Sequence, residues 1–593
     1  MCGIIGYAGN NNAIERLHIG LKKLEYRGYD SAGISFFVDK NLKTIKKVGS
    51  VDNLFENIKY ENIKLGIGHT RWATHGKPST KNSHPHQSQH KKVCLVHNGI
   101  IENYIELKNK YLTDIKLKSE TDTEIVCNLI EKFLMQQNDK LSAINSATKL
   151  LKGSYALAIL FDDEPEKIYF AKNKSPLLVG IGKDENFISS DILGFCNYTN
   201  KYISIKDKEF GYITQNFVKI FDENGKILRK RIKPVINQVN NIEKDDYPFY
   251  MLKEINEIPT CLKNIAKLYQ SNDSPLKKLK KLRDNQIKRI WLVACGTSYH
   301  ACLVGEKYLK NFGFDATSEI ASEFVYSLPK LSKDTLCIFV SQSGETADTI
   351  SAINMAKQKK CITLGITNVK TSQIANICDY VLPLCSGPEI AVASTKAYNC
   401  QIAVFYILAN FFGKKNIKDT IKTIENISNI IDVKNFEEQI KPLSKQIINS
   451  KNIFMCGKNF DYITGLESAL KLKEISYINT QGIASGEFKH GTLALVDNKT
   501  IVFAFLTEEN LFDKTLNIVN QTKSRGAKIV AVSNIKNKNF SNFDYVINLP
   551  KIENYLSPII SVIPMQLLAY HTTVLLGYNP DKPRNLAKSV TVE

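Results

Sequence analysis

Cys2 is the first residue whose position suggests chemistry. Once Met1 is removed, its thiol lies beside a free α-amino group with an ordinary pKa near 8, so one residue supplies both nucleophile and general base. The alternative is a buried cysteine opening a strand. A second cluster is Ser341-Gln342-Ser343-Gly344-Glu345-Thr346, directly after an apolar run and before a helical pattern. Three hydroxyls and the N–H groups of a helix start suit a phosphate, whereas a simple N-cap needs only one hydroxyl. A third is Glu467, Lys471 and Glu474, spaced to share one helical face. Such a ladder is either a solvated ion-pair row or active-site machinery, and its place after Cys456-Gly457 favours the latter. The last is the basic C-terminal run from Pro583 to Glu593, with Lys588 near its end, where a chain is ordinarily mobile.

The elements that must position these residues fall into two kinds. Up to about residue 240, short β-like runs (3–8, 32–38, 65–69, 93–96, 155–161, 167–171 and 177–181) alternate with helical patterns at 13–23 and 121–136. That is a sheet-rich α+β domain. The polar stretch 239–246, followed by Tyr247-Pro248, reads as a linker. Beyond it the chain repeats itself. Ile290-Trp-Leu-Val-Ala-Cys-Gly296 matches Asn452-Ile-Phe-Met-Cys-Gly457, and Thr335-Leu-Cys-Ile-Phe-Val340 matches Thr500-Ile-Val-Phe-Ala-Phe505. Two further strand pairs follow in the same order. Fully apolar strands, each ending in a small or polar residue and followed by a helix, specify buried parallel sheets in two doubly wound α/β domains. The phosphate-type loop ends a strand of the first copy. The second copy has Thr507-Glu508-Glu509 there, whose carboxylates would repel phosphate.

Composition narrows the classes. The chain has 593 residues, 43% hydrophobic and 23% charged, which is ordinary for a multidomain globular protein. The net charge of +20 invites a nucleic-acid partner, but only nine of the 79 basic residues are arginine and the lysines are dispersed. The run Lys277-Lys278-Leu279-Lys280-Lys281-Leu282 places Leu276, Leu279 and Leu282 three apart, an amphipathic helix with a solvated basic face. The N-terminus lacks a secretory pattern. The apolar segment 555–576 is interrupted by Pro558, Pro564, Gln566 and His571, so neither export nor a membrane span is expected. Thirteen cysteines without a C-x-x-C pair fit free thiols in a reducing compartment, hence a cytoplasmic location. His75, His84, His86, His90 and His97 could form a metal cluster. Carboxylates are sparse around them, however, and His84-Pro85-His86 lacks helical i, i+4 geometry, so no metal is expected.

Three resemblances follow. The loop at 341–346, with Cys295-Gly296-Thr297-Ser298, resembles the sugar isomerase (SIS) domains, which bind phosphosugars. Cys2-Gly3-Ile4-Ile5-Gly6 resembles the class II, N-terminal-nucleophile glutamine amidotransferases, and further motifs support this. They are Tyr26-Arg27-Gly28-Tyr29-Asp30, Gly68-His69-Thr70-Arg71-Trp72-Ala73-Thr74-His75-Gly76, His97-Asn98-Gly99 and Ser119-Glu120-Thr121-Asp122-Thr123-Glu124. With the tail added, the whole chain resembles the isomerizing glutamine–fructose-6-phosphate aminotransferases.

The resemblance implies an Ntn-hydrolase-like αββα glutaminase domain (2–240), a linker with the first isomerase helices (241–282), SIS domains at 283–422 and 452–583, and a catalytic tail (584–593). It implies that Asn98 and the Gly99 N–H form an oxyanion hole. Arg71 would hold the glutamine carboxylate and Asp122 its ammonium group, charges that match an amino-acid ligand, with Trp72, Thr74 and His75 lining the pocket. Lys588 would form a Schiff base with open-chain fructose 6-phosphate, Glu474 would move the C1/C2 proton, Lys471 would support it, and His490 would assist ring opening. Thr297, Ser298, Ser341, Gln342, Ser343 and Thr346 would bind the phosphate end, and Val392 and Ser394 the sugar. The product would be glucosamine 6-phosphate, the entry to amino-sugar biosynthesis. Ammonia would pass through an internal channel gated by Trp72 and the tail. The resemblance further implies a homodimer in which His490 crosses the interface, with no cofactor. The chain lacks the phosphoribosyl-diphosphate motif and the pyrophosphatase loop of other enzymes sharing the N-terminal domain. The alternative is a phosphosugar-binding regulator with a vestigial glutaminase domain.

Overall fold

The computed structural model describes residues 2–73, 75–235, 243–284, 287–327, 329–450, 452–536 and 538–590. Thr74, Met1 and the 239–242 part of the linker stretch lie outside them. The chain divides into two compact units, one reaching residue 240 and one spanning 241–588.

In the first unit two antiparallel sheets stack face to face. Gly3–Gly9 runs at the centre of the eight-stranded sheet, between Glu185–Ser189 and Leu65–Arg71. Val93–Ile101 and Gly153–Phe161 are neighbours in the six-stranded sheet. Alternation decides the layering: Ile4 and Ala8 face the second sheet, packing with Val96, Ala156 and Phe170, while Ile5 and Tyr7 face the other way. There Leu17 and Leu21 of the Ala13–Leu24 helix cover them. Helices Asp122–Gln137 and Lys140–Leu150 cover the far side of the second sheet, giving an αββα sandwich. Two edge strands escaped the sequence reading: Asn41–Val48 because lysines interrupt its apolar residues, and Val218–Phe221 because it is only four residues long.

In the second unit the repeat folds into two five-stranded parallel sheets. Across the first lie Ala316–Ile320, Arg289–Ala294, Thr335–Ser341, Ile362–Thr367 and Tyr380–Pro383. The second repeats that order with Thr480–Ala484, Asn452–Gly457, Thr500–Leu506, Lys528–Ser533 and Tyr545–Asn548. One apolar core runs through both copies and takes in the buried helix Lys396–Phe412. Leu276, Leu279 and Leu282 are buried as expected, but the first turns are a 3-10 helix, Pro275–Leu279, whose three-residue period matches their spacing.

The prolines divide the apolar segment into two successive helices, Ser557–Ser561 and Ile563–Leu575. Pro558 and Pro564 each sit in the first turn of a helix, where a missing N–H costs little. By length and composition alone 554–575 could cross a membrane, yet 83% of its most apolar window is buried inside the protein. That burial is the pattern of a core helix.

Candidate active site

Cys2 immediately precedes the central strand Gly3–Gly9, and the register pairs Gly3 with Thr70, which brings the thiol to the end of Leu65–Arg71. Cys2 Sγ accepts the Trp72 N–H at 3.3 Å. Burial pushes the thiol pKa up, opposed by the Trp72 N–H and the Arg71 charge. A neutral resting thiol therefore needs a base, which the α-amino group would provide.

Asn98 reaches across from the second sheet and donates through Nδ2 to Cys2 O at 2.9 Å. Its Oδ1 lies 3.0 Å from His69 Nε2, which is also 3.0 Å from His97 O. Burial drives the His69 pKa down to about 3, so the ring is neutral. With two acceptors at Nε2, that nitrogen carries the proton, which in turn fixes the Asn98 amide with its NH2 toward Cys2. His69 stands inside a quoted motif but received no role from the sequence. Gly99 adopts φ +135, and a Cβ on it would come within 2.0 Å of Ser154 O, so only glycine fits.

Arg71 Nη2 donates to the carbonyls of His75 and Gly76, while Nη1 is buried without a partner. An orphaned guanidinium nitrogen suits an incoming carboxylate. Asp122 stands in the first turn of its helix because Thr121 caps the helix and the Glu124 carboxylate reaches back to the Ser119 N–H. One Asp122 oxygen accepts the Ile101 N–H at 2.8 Å. Cys2, Asp30 and Asp122 all act electrostatically on Arg71, opposing the effect of its burial. The His75 ring packs edge-on to Tyr104. Among the described residues no three His, Cys, Asp or Glu side chains form a metal-binding group. The histidines of the alternative cluster are otherwise engaged: His69 stacks on His84, His97 Nδ1 meets Thr123 Oγ1, and His90 meets Glu131.

In the second unit the strand order reverses between Arg289–Ala294 and Thr335–Ser341, the place where doubly wound sheets bind ligands. The loops 295–298 and 341–346 flank it. Ser341 Oγ accepts the Gly344 N–H at 3.0 Å and lies 2.8 Å from Thr346 Oγ1. Thr346 occupies the N-cap of Ala347–Gln358, but its hydroxyl makes no capping bond, so the cluster does more than close a helix. Gly344 has φ +69, and a Cβ there would meet Ser372 Oγ at 2.1 Å. The Gln342 carbonyl accepts the Asn368 N–H. Ser298 Oγ accepts from Gln401 at 2.9 Å, and Thr297 Oγ1 turns away to Glu467 and Lys471.

The second copy fills the corresponding place with its own anion. Glu508 accepts the Phe460 N–H at 3.0 Å and the Asn459 side-chain amide at 2.9 Å, at the start of Phe460–Ser476. On that helix Glu467 and Lys471 are buried and Glu474 is half-buried, which excludes a solvated ladder. Lys471 bonds Glu474. Burial raises the Glu474 pKa, and Lys471 draws it back.

The tail is folded rather than loose at Lys588, whose Nζ donates to Glu389 Oε2 at 2.5 Å, both side chains being buried. Ser394 Oγ donates to the same oxygen at 2.9 Å, and Glu389 Oε1 takes the Thr395 and Ala397 N–H groups at 3.0 Å. Burial works against the Glu389 charge, but Lys588 and these donors hold its pKa down. The Val392 N–H donates to Asp581 O. Glu389 had no sequence signal, since one acid in an apolar loop looks like any surface residue. His490 is exposed, and its ring has no hydrogen-bond partner among the described residues. It is not brought to Lys588 or Glu474 by any contact within the chain.

The glutamine amidotransferase domain model matches residues 69–196, and the SIS domain model matches 285–411 and 446–576. The chain is 43% identical over 611 aligned residues to glutamine–fructose-6-phosphate aminotransferase [isomerizing] of Clostridium tetani, covering 100% of both proteins. Identity is also 43%, again over 100% of both, to the enzyme of that name from Bacillus subtilis. The chain belongs to this family. Among solved structures, the C-terminal domain of glucosamine-fructose-6-phosphate aminotransferase from Francisella tularensis matches 58% of the chain and 100% of its own length, at 32% identity and a TM-score of 0.55.

Proposed function

We propose that the protein converts fructose 6-phosphate and glutamine to glucosamine 6-phosphate and glutamate. The observation that carries this is the co-occurrence, in one chain of the family, of a near-terminal cysteine whose carbonyl takes the Asn98 amide, a hydroxyl-rich loop at the strand reversal of the first repeat, and a buried lysine bonded to Glu389. Cys2 attacks the glutamine carboxamide, with Asn98 and Gly99 stabilising the oxyanion; the C–N bond breaks to release ammonia, and water then cleaves the thioester to give glutamate and the free thiol. Arg71 and Asp122 hold the α-carboxylate and α-ammonium groups, and Trp72, Thr74 and His75 complete the pocket.

In the isomerase half, Lys588 adds to the C2 carbonyl of the opened sugar and expels water. Ammonia then displaces the lysine at C2. Glu474 takes a proton from C1 and returns it to C2, leaving an aldehyde at C1 and an amine at C2. Ser298, Ser341, Gln342, Ser343 and Thr346, with the Thr297 backbone, hold the phosphate, and Val392 and Ser394 contact the sugar. The exposed His490 fits a role at another copy's site, so the working form is a homodimer. No metal or redox cofactor enters these steps, and the reading places the enzyme in the cytoplasm. Ammonia passes from one centre to the other within the protein.

The test is incubation of the purified full chain with both substrates, counting glutamate and glucosamine 6-phosphate. Equal amounts are expected. Binding of fructose 6-phosphate without either product would favour the regulator instead.

A further inference from the structure

Two helices, one from each copy of the repeat, meet in a buried polar network. Thr297 and His300 lie one turn apart on Gly296–Lys310, and Glu467, Lys471 and Glu474 lie along one face of Phe460–Ser476. His300 Nδ1 is 2.7 Å from Glu467 Oε2, and Glu467 has no exposed side-chain surface. Thr297 Oγ1 donates to Glu467 Oε1 at 3.1 Å and accepts from Lys471 Nζ at 3.0 Å. Lysine has only donors, so this direction is forced. Lys471 Nζ also lies 3.4 Å from Glu467 Oε1 and bonds Glu474. One ammonium is thus shared between two carboxylates. A carboxylate left short of donors in so dry a place would draw that ammonium toward itself.

We propose that His300 and Thr297 are positioning residues for the isomerase base: by satisfying Glu467 they leave the Lys471 ammonium on Glu474. Thr297 then has two duties, its backbone at the phosphate end of the site and its side chain on the base. The inference rests on the isomerisation chemistry proposed above. The charged groups acting on Glu474 are Lys471 and Glu467 on its own helix and Lys588 from the tail; Glu389 acts on Lys471, and the titratable His300 of the facing helix meets Glu467. His300 and Thr297 bond Glu467 rather than Glu474, so they reach the base through Glu467 and Lys471. Without His300, Lys471 shifts toward Glu467. The ionised form of Glu474 then loses support and forms only at higher pH.

The experiment follows fructose 6-phosphate to glucose 6-phosphate conversion by the full chain without glutamine, across pH, in wild type, His300→Ala, His300→Asn, Thr297→Val and Thr297→Ser. His300→Ala and Thr297→Val should lower kcat about ten-fold or more, part of the ~10²–10⁴ that a positioned base supplies, with KM within two-fold. The acidic limb of their pH–rate profiles should move to higher pH. Asn and Ser restore the lost donors and should recover most of kcat and the original limb. A raised KM at unchanged kcat would make these residues sugar ligands and overturn the inference. So would equal losses in the Ala and Asn variants with an unmoved limb, the mark of a merely structural role. A wild type that hydrolyses glutamine but never interconverts the sugars would overturn the underlying reading, and the inference with it. A wild type that interconverts them while the variants behave otherwise would overturn the inference alone.

Discussion

The Asn98 amide is useful only in one of its two orientations, and a neutral histidine selects it. His69 donates Nε2–H to Asn98 Oδ1, so Nδ2 points at Cys2. Asn98→Ala should cost glutamine hydrolysis about 10²–10³ in kcat, the usual loss for an oxyanion donor. His69→Phe keeps a ring in the space but removes the donor. We expect a smaller loss in glutaminase kcat, with sugar isomerisation unchanged in both variants. Stopped-time glutamate assays check this, and a His69→Phe enzyme at full glutaminase rate would remove the orienting role. The ring stays neutral above about pH 3, so no limb of the glutaminase profile between pH 5 and 8 belongs to His69. Cys2 stood out by its position in the sequence, while Asn98 and Arg71 entered through the resemblance of the motifs that contain them. His69 and Glu389 received no role, because their value lies in partners 29 and 199 residues away in sequence, which no local pattern reveals.

At the scale of elements, the helix Tyr250–Asn256 anchors the segment that holds Lys588. Its first N–H groups are capped by the Asp581 carboxylate, and its Glu254 accepts the Ile390 and Ala391 N–H groups next to Glu389. Burial first, and Glu389 second, raise the Glu254 pKa to about 8. The folded protein therefore binds this proton more tightly than the unfolded chain, whose glutamate titrates near 4.5. Its contribution to stability is greatest below pH 4.5, falls as pH rises toward 8, and is flat above. Glu254→Gln has no charge to bury. Its melting temperature should draw ahead of wild type as pH goes from 5 to 8.5, and a gap constant with pH would contradict the shift. The sequence showed the parallel strands clearly, since buried strands read as apolar runs. The resemblance placed helices within 241–282, where this one lies, but the pairing of Glu254 with Glu389 was hidden because the two are far apart in sequence. The sequence also left unseen the lysine-rich edge strand Asn41–Val48 and the short edge strand Val218–Phe221.

Across the whole molecule, the proposed function assigns the sugar phosphate to one copy of the duplicated fold and not to the other. A built-in anion in the second copy supports that assignment. In the second copy, Glu508 accepts from Phe460 N and Asn459 Nδ2 at the place where the first copy presents Ser341, Ser343 and Thr346. Glu508 thus satisfies the start of the very helix that carries Glu467, Lys471 and Glu474, converting a ligand site into a structural brace for the base. A crossed pair of outcomes follows. Ser343→Ala with Thr346→Ala should raise KM for fructose 6-phosphate, each lost bond to a charged phosphate being worth ~1.5–3 kcal/mol, and leave glutamine hydrolysis intact. Glu508→Ala should do the reverse: it strips acceptors from buried donors, lowers the melting temperature, and leaves KM within about two-fold, since no phosphate lost a partner. Calorimetry and initial-rate kinetics on the same four proteins, with the triple variant included, separate the two. Sites that share no partner should add within ~0.5 kcal/mol. If Glu508→Ala raised KM as strongly as the loop changes, sugar phosphate would be binding through both copies, and the division of labour between them would be wrong.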